Sequence, residues 1–244
     1  MVMFFSENFL QQWNPIIKAG CVIHDVLSDF LVRYLKQVKI ILLMLAHLSL
    51  IGFLFPQFGR SFGNFAQNLL LVILLVSPLS KLFRMKLLYQ LMSLRRELGI
   101  WFAYMAIVHS LSYILNPEWF GTFIALFLSQ PLSMMPRYLF GVLALILTLP
   151  LLITSNTLSL TILKGNWKKL HWLVYPLFAF MLLHIFLPRR LGIGNDIFGF
   201  LQASLAFGAY VLLKMLAKNN FLTPLREVNE YVAQRYVEYR SSSV

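Results

Sequence analysis

The chain has 244 residues, 59% of them hydrophobic and only 12% charged, and its mean hydropathy is +0.73. A soluble domain carries about a quarter charged residues, so there is too little polar side chain here to wet a globule, and lipid is the expected solvent. The net charge of +12 would suit nucleic acid, but the basic residues fall where membrane topology needs them, as traced below; Cys21 is the only cysteine, which excludes an intramolecular disulfide and a cysteine metal cluster.

The start, MVMFFSENF, lacks the basic, apolar and small-residue order of a cleavable signal peptide. The first hydrophobic spans are therefore expected to stay in the membrane. Residues 1–35 mix Asp25, Asp29 and Arg33 with apolar positions and read as an amphipathic helix lying on the membrane. A helix crossing a hydrocarbon core of about 30 Å needs roughly 20 apolar residues. Six stretches qualify: 38–56, 64–80, 97–115, 137–155, 170–187 and 196–217. A shorter apolar stretch, 119–130, runs into Gln130-Pro131 and reads as an interfacial or re-entrant segment. Residues 221–244, with LREVNEYVAQRYVEYR, read as a short mixed-charge helix, too small for an enzyme domain. No repeat, linker or low-complexity segment divides the chain, so 1–244 is taken as one transmembrane domain with its core at 38–217. The fold class is an all-α membrane bundle of about six transmembrane helices, with an N-terminal interfacial helix and a short cytoplasmic C-terminal helix.

Orientation follows from lysine and arginine. Between spans two and three lie Lys81, Arg84, Lys86, Arg95 and Arg96; between four and five lie Lys164, Lys168 and Lys169. The N-terminal segment up to the start of the first span adds Lys18, Arg33, Lys36 and Lys39, and the C-terminal end adds Lys214, Lys218, Arg226, Arg235 and Arg240. The opposite side has only Arg60, Arg137, Arg189 and Arg190 of the 21 basic residues. Both termini are therefore expected in the cytoplasm of a bacterial inner membrane, with the basic face against anionic lipid.

Ionisable groups inside a membrane are expensive and mark function by default. The histidines are His24, His47, His109, His171 and His184. His109 stands 13 residues after Arg96, roughly 20 Å from the cytoplasmic side, and His184 stands 16 residues after Lys168, about 24 Å along its span. Both belong to the outer leaflet, on different helices at similar depth, which is the arrangement that clamps a haem iron between two neutral imidazoles. The competing reading is a polar contact between helices, and it is preferred for His47, which has no matched partner. His24 reads as interfacial. His171 belongs to the inner leaflet; on a straight helix it is roughly 140° out of phase with His184, and Pro176 between them can bend and re-phase the span.

The runs LRRELGIWFAYMAIVHSLSYIL and LPLLITSN, followed by GNWKKLHWLVYPLFAFMLLHIFL, resemble the ferric-reductase-like transmembrane family. Within it they are most similar to the haem-binding membrane subunits of periplasmic methionine sulfoxide reductase systems. LLLVILLVSPLSKLF in span two and the Arg-Arg pair and glycine opening span three add to the likeness, which covers roughly residues 60–190. The resemblance implies that His109, His171 and His184 are haem-associated. It implies one haem b held by His109 and His184; a second, inner haem at His171 stays open, because Arg96 and Arg95, not histidine, stand 13 and 14 residues before His109.

No glycine-rich dinucleotide fingerprint is present, so electrons are expected from quinol or a flavin reductase. The resemblance makes the acceptor a periplasmic molybdopterin reductase subunit. The chain is then an electron-transfer subunit, not a self-contained enzyme. Arg189, Arg190 and Arg137 can pair with haem propionates or an acidic partner, or act as ordinary boundary charges. Arg95, Arg96, Lys168 and Lys169 can hold an FMN phosphate, or simply anchor the cytoplasmic side. Trp101, Tyr104, Trp167, Trp172 and Tyr175 read as belt or packing residues. The rivals are a ferric reductase or other cytochrome b subunit with a different partner and, further off, a small transporter. Against the transporter stand the expected absence of a buried carboxylate in any span and of an inverted repeat.

Overall fold

The computed structural model describes residues 7–83, 85–114, 135–187 and 197–218. The short apolar segment 119–130, the tail 221–244, Arg189 and Arg190 lie outside the described residues. The described residues are helical apart from brief turns, with no strand among them. The helices are α1 (Glu7–Ser49), α2 (Gly59–Phe83), α3 (Lys86–Ser93), α4 (Arg95–Ile114), α5 (Met135–Ile153), α6 (Thr157–Leu163), α7 (Gly165–Leu170), α8 (Val174–Phe186) and α9 (Ile197–Lys218), with 3₁₀ turns at Leu50–Leu54, Pro56–Phe58 and His171–Leu173.

By length and composition, Val22–Leu54 and Pro56–Phe83 are each able to cross a membrane. Tyr138–Ile153 and Thr157–Leu163 supply a third crossing if the pair, bent by 90°, is one span. The helical content and these apolar helices make this a membrane protein with at least two helices able to span.

The residues at the 90° bend explain why the chain turns there. Pro150 has no N–H to donate to the helix ladder. Thr154 Oγ1 donates to the Pro150 carbonyl (2.6 Å), which also accepts the Thr154 N–H (3.1 Å), and Ser155 Oγ donates to the carbonyl of Leu151 (2.6 Å), so side-chain hydroxyls add to the bonds that close the ending helix. Asn156 then caps the next helix, its side-chain oxygen accepting from the Ser159 N–H (2.7 Å). From α7, Trp167 Nε1 donates to the Thr154 carbonyl (2.9 Å) and ties the turn down.

The described residues fall into two compact units, one drawn from 7–38, 76–83, 85–93 and 213–218, the other from 39–75, 94–114, 135–187 and 197–212. In the first, α1 meets α3 through polar groups. Gln90 Nε2 donates to Ser28 Oγ (3.1 Å), the Leu87 N–H to His24 Nε2 (3.4 Å), and Lys86 Nζ to Asp29 Oδ1 (3.2 Å) at the rim. Ser28 is fully buried while Val22, Ile23, Val26 and Phe30 are exposed. Polar contacts inside and apolar side chains outside invert the pattern of a water-soluble helix pair, and suit a helix solvated by lipid. The sequence ends a separate N-terminal helix at residue 35, and Glu7–Ser49 departs from helical geometry in a kink at Tyr34 (φ −111°, ψ 15°).

The second unit holds the core. Leu70, Ile73 and Leu74 of α2, Phe102 and Ala103 of α4, Leu151 of α5, Leu177 and Phe178 of α8 and Tyr210 of α9 pack together. Lipid tails are as apolar as these side chains, so close packing, not escape from water, holds the helices to one another. α5 and α8 pack extensively against each other, and the second carries His184.

Candidate metal centre

His109 lies one turn from the end of α4, and His184 near the end of α8. Their ring centroids stand 6.3 Å apart with planes at 78°. An iron atom held between two imidazoles at bonds of about 2 Å sets the ring centroids roughly 6 Å apart, so the observed separation fits an iron between the rings. Among the described residues no group of three His, Cys, Asp or Glu side chains gathers. The pair could therefore contribute two imidazole ligands to an iron whose remaining ligands a macrocycle supplies, not a full coordination shell.

The surroundings fix the ligand chemistry. His109 Nδ1 lies 2.8 Å from the Gly59 carbonyl. A carbonyl only accepts, so Nδ1 carries the proton and Nε2 keeps the lone pair a metal requires. Tyr113 packs edge-on against the same ring (5.2 Å). Gly63 of α2 faces the His109 ring and Gly141 of α5 faces the His184 ring, both closely enough that no side chain fits between.

His171 sits 13 residues before His184, about 20 Å along the chain axis, in the 3₁₀ turn between α7 and α8. It stacks on Trp167 (centroids 3.9 Å). A 3₁₀ turn begins at His171 and precedes the helix that carries His184, and Pro176 sits in the first turn of α8, where proline fits without a kink. Arg95 is within electrostatic reach of His171, Tyr175 and Tyr210, and Tyr210 donates its hydroxyl to Tyr175 (3.0 Å). Arg95 Nε and His171 Nε2 are buried with no hydrogen-bond partner among the described residues. Unpaired buried nitrogens of this kind mark a place able to take a polar group.

Arg96 is committed elsewhere: its Nη2 and Nε donate to Glu97 Oε1 at 2.8 and 3.1 Å. Glu97 is fully buried at the start of α4. That corrects the expectation of no buried carboxylate in any span. The reason is local, since an adjacent guanidinium compensates the charge that burial would otherwise forbid. Of the outer arginines, Arg189 and Arg190 lie outside the described residues, as does the side chain of Arg137. His47 makes a contact between helices: Nδ1 donates to the Leu43 carbonyl (2.7 Å), and Nε2 lies 3.5 Å from the Tyr104 hydroxyl. Trp101 packs on Phe65 (5.0 Å), and Trp172 is exposed.

Sequence reasoning missed Gly59, Gly63, Gly141 and Glu97. The glycines had one available signal: Gly63 and Gly141 stand four and six residues inside the starts of α2 and α5, close to the helix ends near which His109 and His184 lie.

The description "ferric reductase like transmembrane component" fits residues 62–182. The chain is similar to the curated "Protein-methionine-sulfoxide reductase heme-binding subunit MsrQ" of three bacteria. With that of Rhizobium meliloti (strain 1021) it is 31% identical over 128 residues, covering 52% of this chain and 56% of the relative. With that of Agrobacterium fabrum it is 32% identical over 136 residues, 55% and 59% respectively. With that of Pectobacterium carotovorum (strain PC1) it is 34% identical over 113 residues, 46% and 54%. The chain thus spans between 54% and 59% of the length of these relatives. No solved structure matches it. The matched region carries His109, His171, Gly63 and Gly141 and ends two residues before His184; the chain belongs to the ferric-reductase-like transmembrane family.

Proposed function

We propose that this chain is the haem b-binding membrane subunit of a methionine sulfoxide reductase system. In this reading it passes electrons across a bacterial inner membrane, from quinol or a flavin donor to a periplasmic molybdopterin reductase subunit. The observation that carries it is the 6.3 Å separation of the His109 and His184 rings. Support also comes from the name of the curated relatives, which describes a heme-binding subunit. The proposed arrangement is one transmembrane domain with about six crossing helices and both termini in the cytoplasm.

When bound, haem supplies a one-electron carrier inside the bilayer. The protein's own residues do the rest. His109 and His184 offer imidazole nitrogens from two helices. The Gly59 carbonyl holds His109 in the tautomer that leaves Nε2 as the ligand atom. On the inner side, His171, Arg95, Tyr175 and Tyr210 form the entry point for electrons: a second haem, a quinol headgroup or a flavin phosphate would find a buried cation and an unpaired imidazole nitrogen there. Arg189, Arg190 and Arg137 are assigned to the outer side, toward haem propionates or the acceptor.

Spectroscopy of purified variants tests this. His109→Ala and His184→Ala should each lose most haem absorbance, because one remaining imidazole holds the iron poorly. His171→Ala should keep the outer haem spectrum and full reduction by dithionite, yet be reduced more slowly by the physiological donor. Wild-type reduced spectra in both His109→Ala and His184→Ala would show that the ligand pair is wrong.

A further inference from the structure

Gly63 and Gly141 occupy equivalent places against the two rings. A Cβ added to Gly63 would lie 2.7 Å from His109 Nδ1 and 2.8 Å from its Cε1. One added to Gly141 would lie 2.7 Å from His184 Nδ1 and 2.9 Å from its Cε1. Non-bonded heavy atoms settle at about 3.5–4.0 Å, so neither position admits a side chain while the rings stay where they are. The helix glycines Gly99 and Gly208 are different, since a Cβ on either meets nothing within 4 Å. Glycine weakens a helix relative to alanine, and at 63 and 141 the rings give the physical reason for bearing that weakness.

The rings are thereby confined. Each has bare helix backbone against its Nδ1–Cε1 edge, and the gap between them is already the size that an iron between two imidazoles sets. A methyl group at either glycine would displace or tilt a ring and so change the spacing of the pair. We propose that Gly63 and Gly141 are positioning residues, which press helix backbone against His109 and His184 and hold the two imidazoles at clamping distance before the iron arrives. This rests on the assignment of His109 and His184 as axial ligands. It adds a residue on α2 and another on α5 to a site otherwise built from α4 and α8.

The test compares Gly63→Ala and Gly141→Ala with Gly99→Ala and Gly208→Ala in the full-length protein purified in detergent. Haem affinity, the low-spin spectrum and the melting temperature are the readouts. Gly99→Ala and Gly208→Ala should bind haem as the wild type does and melt no lower. Gly63→Ala and Gly141→Ala should bind haem about 10-fold more weakly or worse, the loss typical when support behind a metal ligand is disturbed, with an altered low-spin signal. They should also melt lower, the reverse of the usual sign for glycine to alanine in a helix. Should either variant fold poorly, the pairs Gly63→Ala/His109→Ala and Gly141→Ala/His184→Ala decide the matter. With the ring removed the methyl group has room, so each pair should melt as the single histidine variant does. The inference is overturned if the glycine variants match the controls in haem affinity, or if alanine destabilises equally with and without the ring. If the wild type holds no haem, or keeps it without His109 and His184, the ligand assignment fails and takes this inference with it. Haem loss in the histidine variants beside normal binding in the glycine variants overturns this inference alone.

Discussion

Glu97 is fully buried, while its partner Arg96 keeps 43% of its side chain exposed, and the two residues do not stand to lose equally. Removing Arg96 leaves a desolvated carboxylate with no compensating charge. Arg96→Ala should therefore lower stability by about 3 kcal/mol, the low end of the range for a broken buried pair, since water still reaches the guanidinium side. Glu97→Gln removes the charge that needed compensation and should lose only about 1 kcal/mol. Thermal unfolding in detergent measures both, and equal losses would show that the carboxylate is not desolvated. At this scale the sequence was unevenly legible. His109 and His184 announced themselves because an ionisable ring in an apolar run is rare and its depth can be counted from the nearest basic residues. Glu97 was missed, because a carboxylate at the first position of a span carries no sign in the sequence of whether water reaches it. Gly63 and Gly141 were silent because a side chain that is absent has no chemistry to read.

Within the described residues the six apolar stretches are largely helix, since a long apolar run has few other ways to satisfy its backbone in lipid. Their ends were less legible. Local hydrogen bonds set them, and those bonds leave little trace in hydrophobicity. The 3₁₀ turn at His171–Leu173 winds more tightly than an α-helix, which a count at 100° per residue from His171 to His184 does not include. The run LPLLITSN was notable in the sequence only as a likeness, yet its last residues make the 90° bend: Thr154 and Ser155 close α5 and Asn156 opens α6. Asn156→Ala removes the acceptor for the Ser159 N–H and should lower stability by about 1 kcal/mol. Amide exchange should quicken at Ser159 and stay unchanged in α4. Unchanged protection at Ser159 would mean that the cap does not hold the bend.

At the scale of the molecule, membrane residence was legible from composition alone. The number of crossings was legible only in part, because length and apolarity together single out two helices outright. The α5–α6 run is broken at residues 154–156, and α8 is cut to 13 residues by the 3₁₀ turn before it. Orientation rests on charge asymmetry and is open to direct measurement. In a Cys21→Ser background, single cysteines at positions 60 and 195 should react with an impermeant reagent from outside intact cells, and one at 240 only after the cytoplasmic face is opened. Reaction of position 240 from outside would overturn the assigned topology. Across descent, Gly63 and Gly141 are bound to the rings they face. A lineage that loses His109 or His184 also loses the obstacle opposite the matching glycine, so alanine can enter there and strengthen the helix. Glycine at these two places should persist where both rings persist, and a larger residue at either would mark a descendant that has given up the clamp.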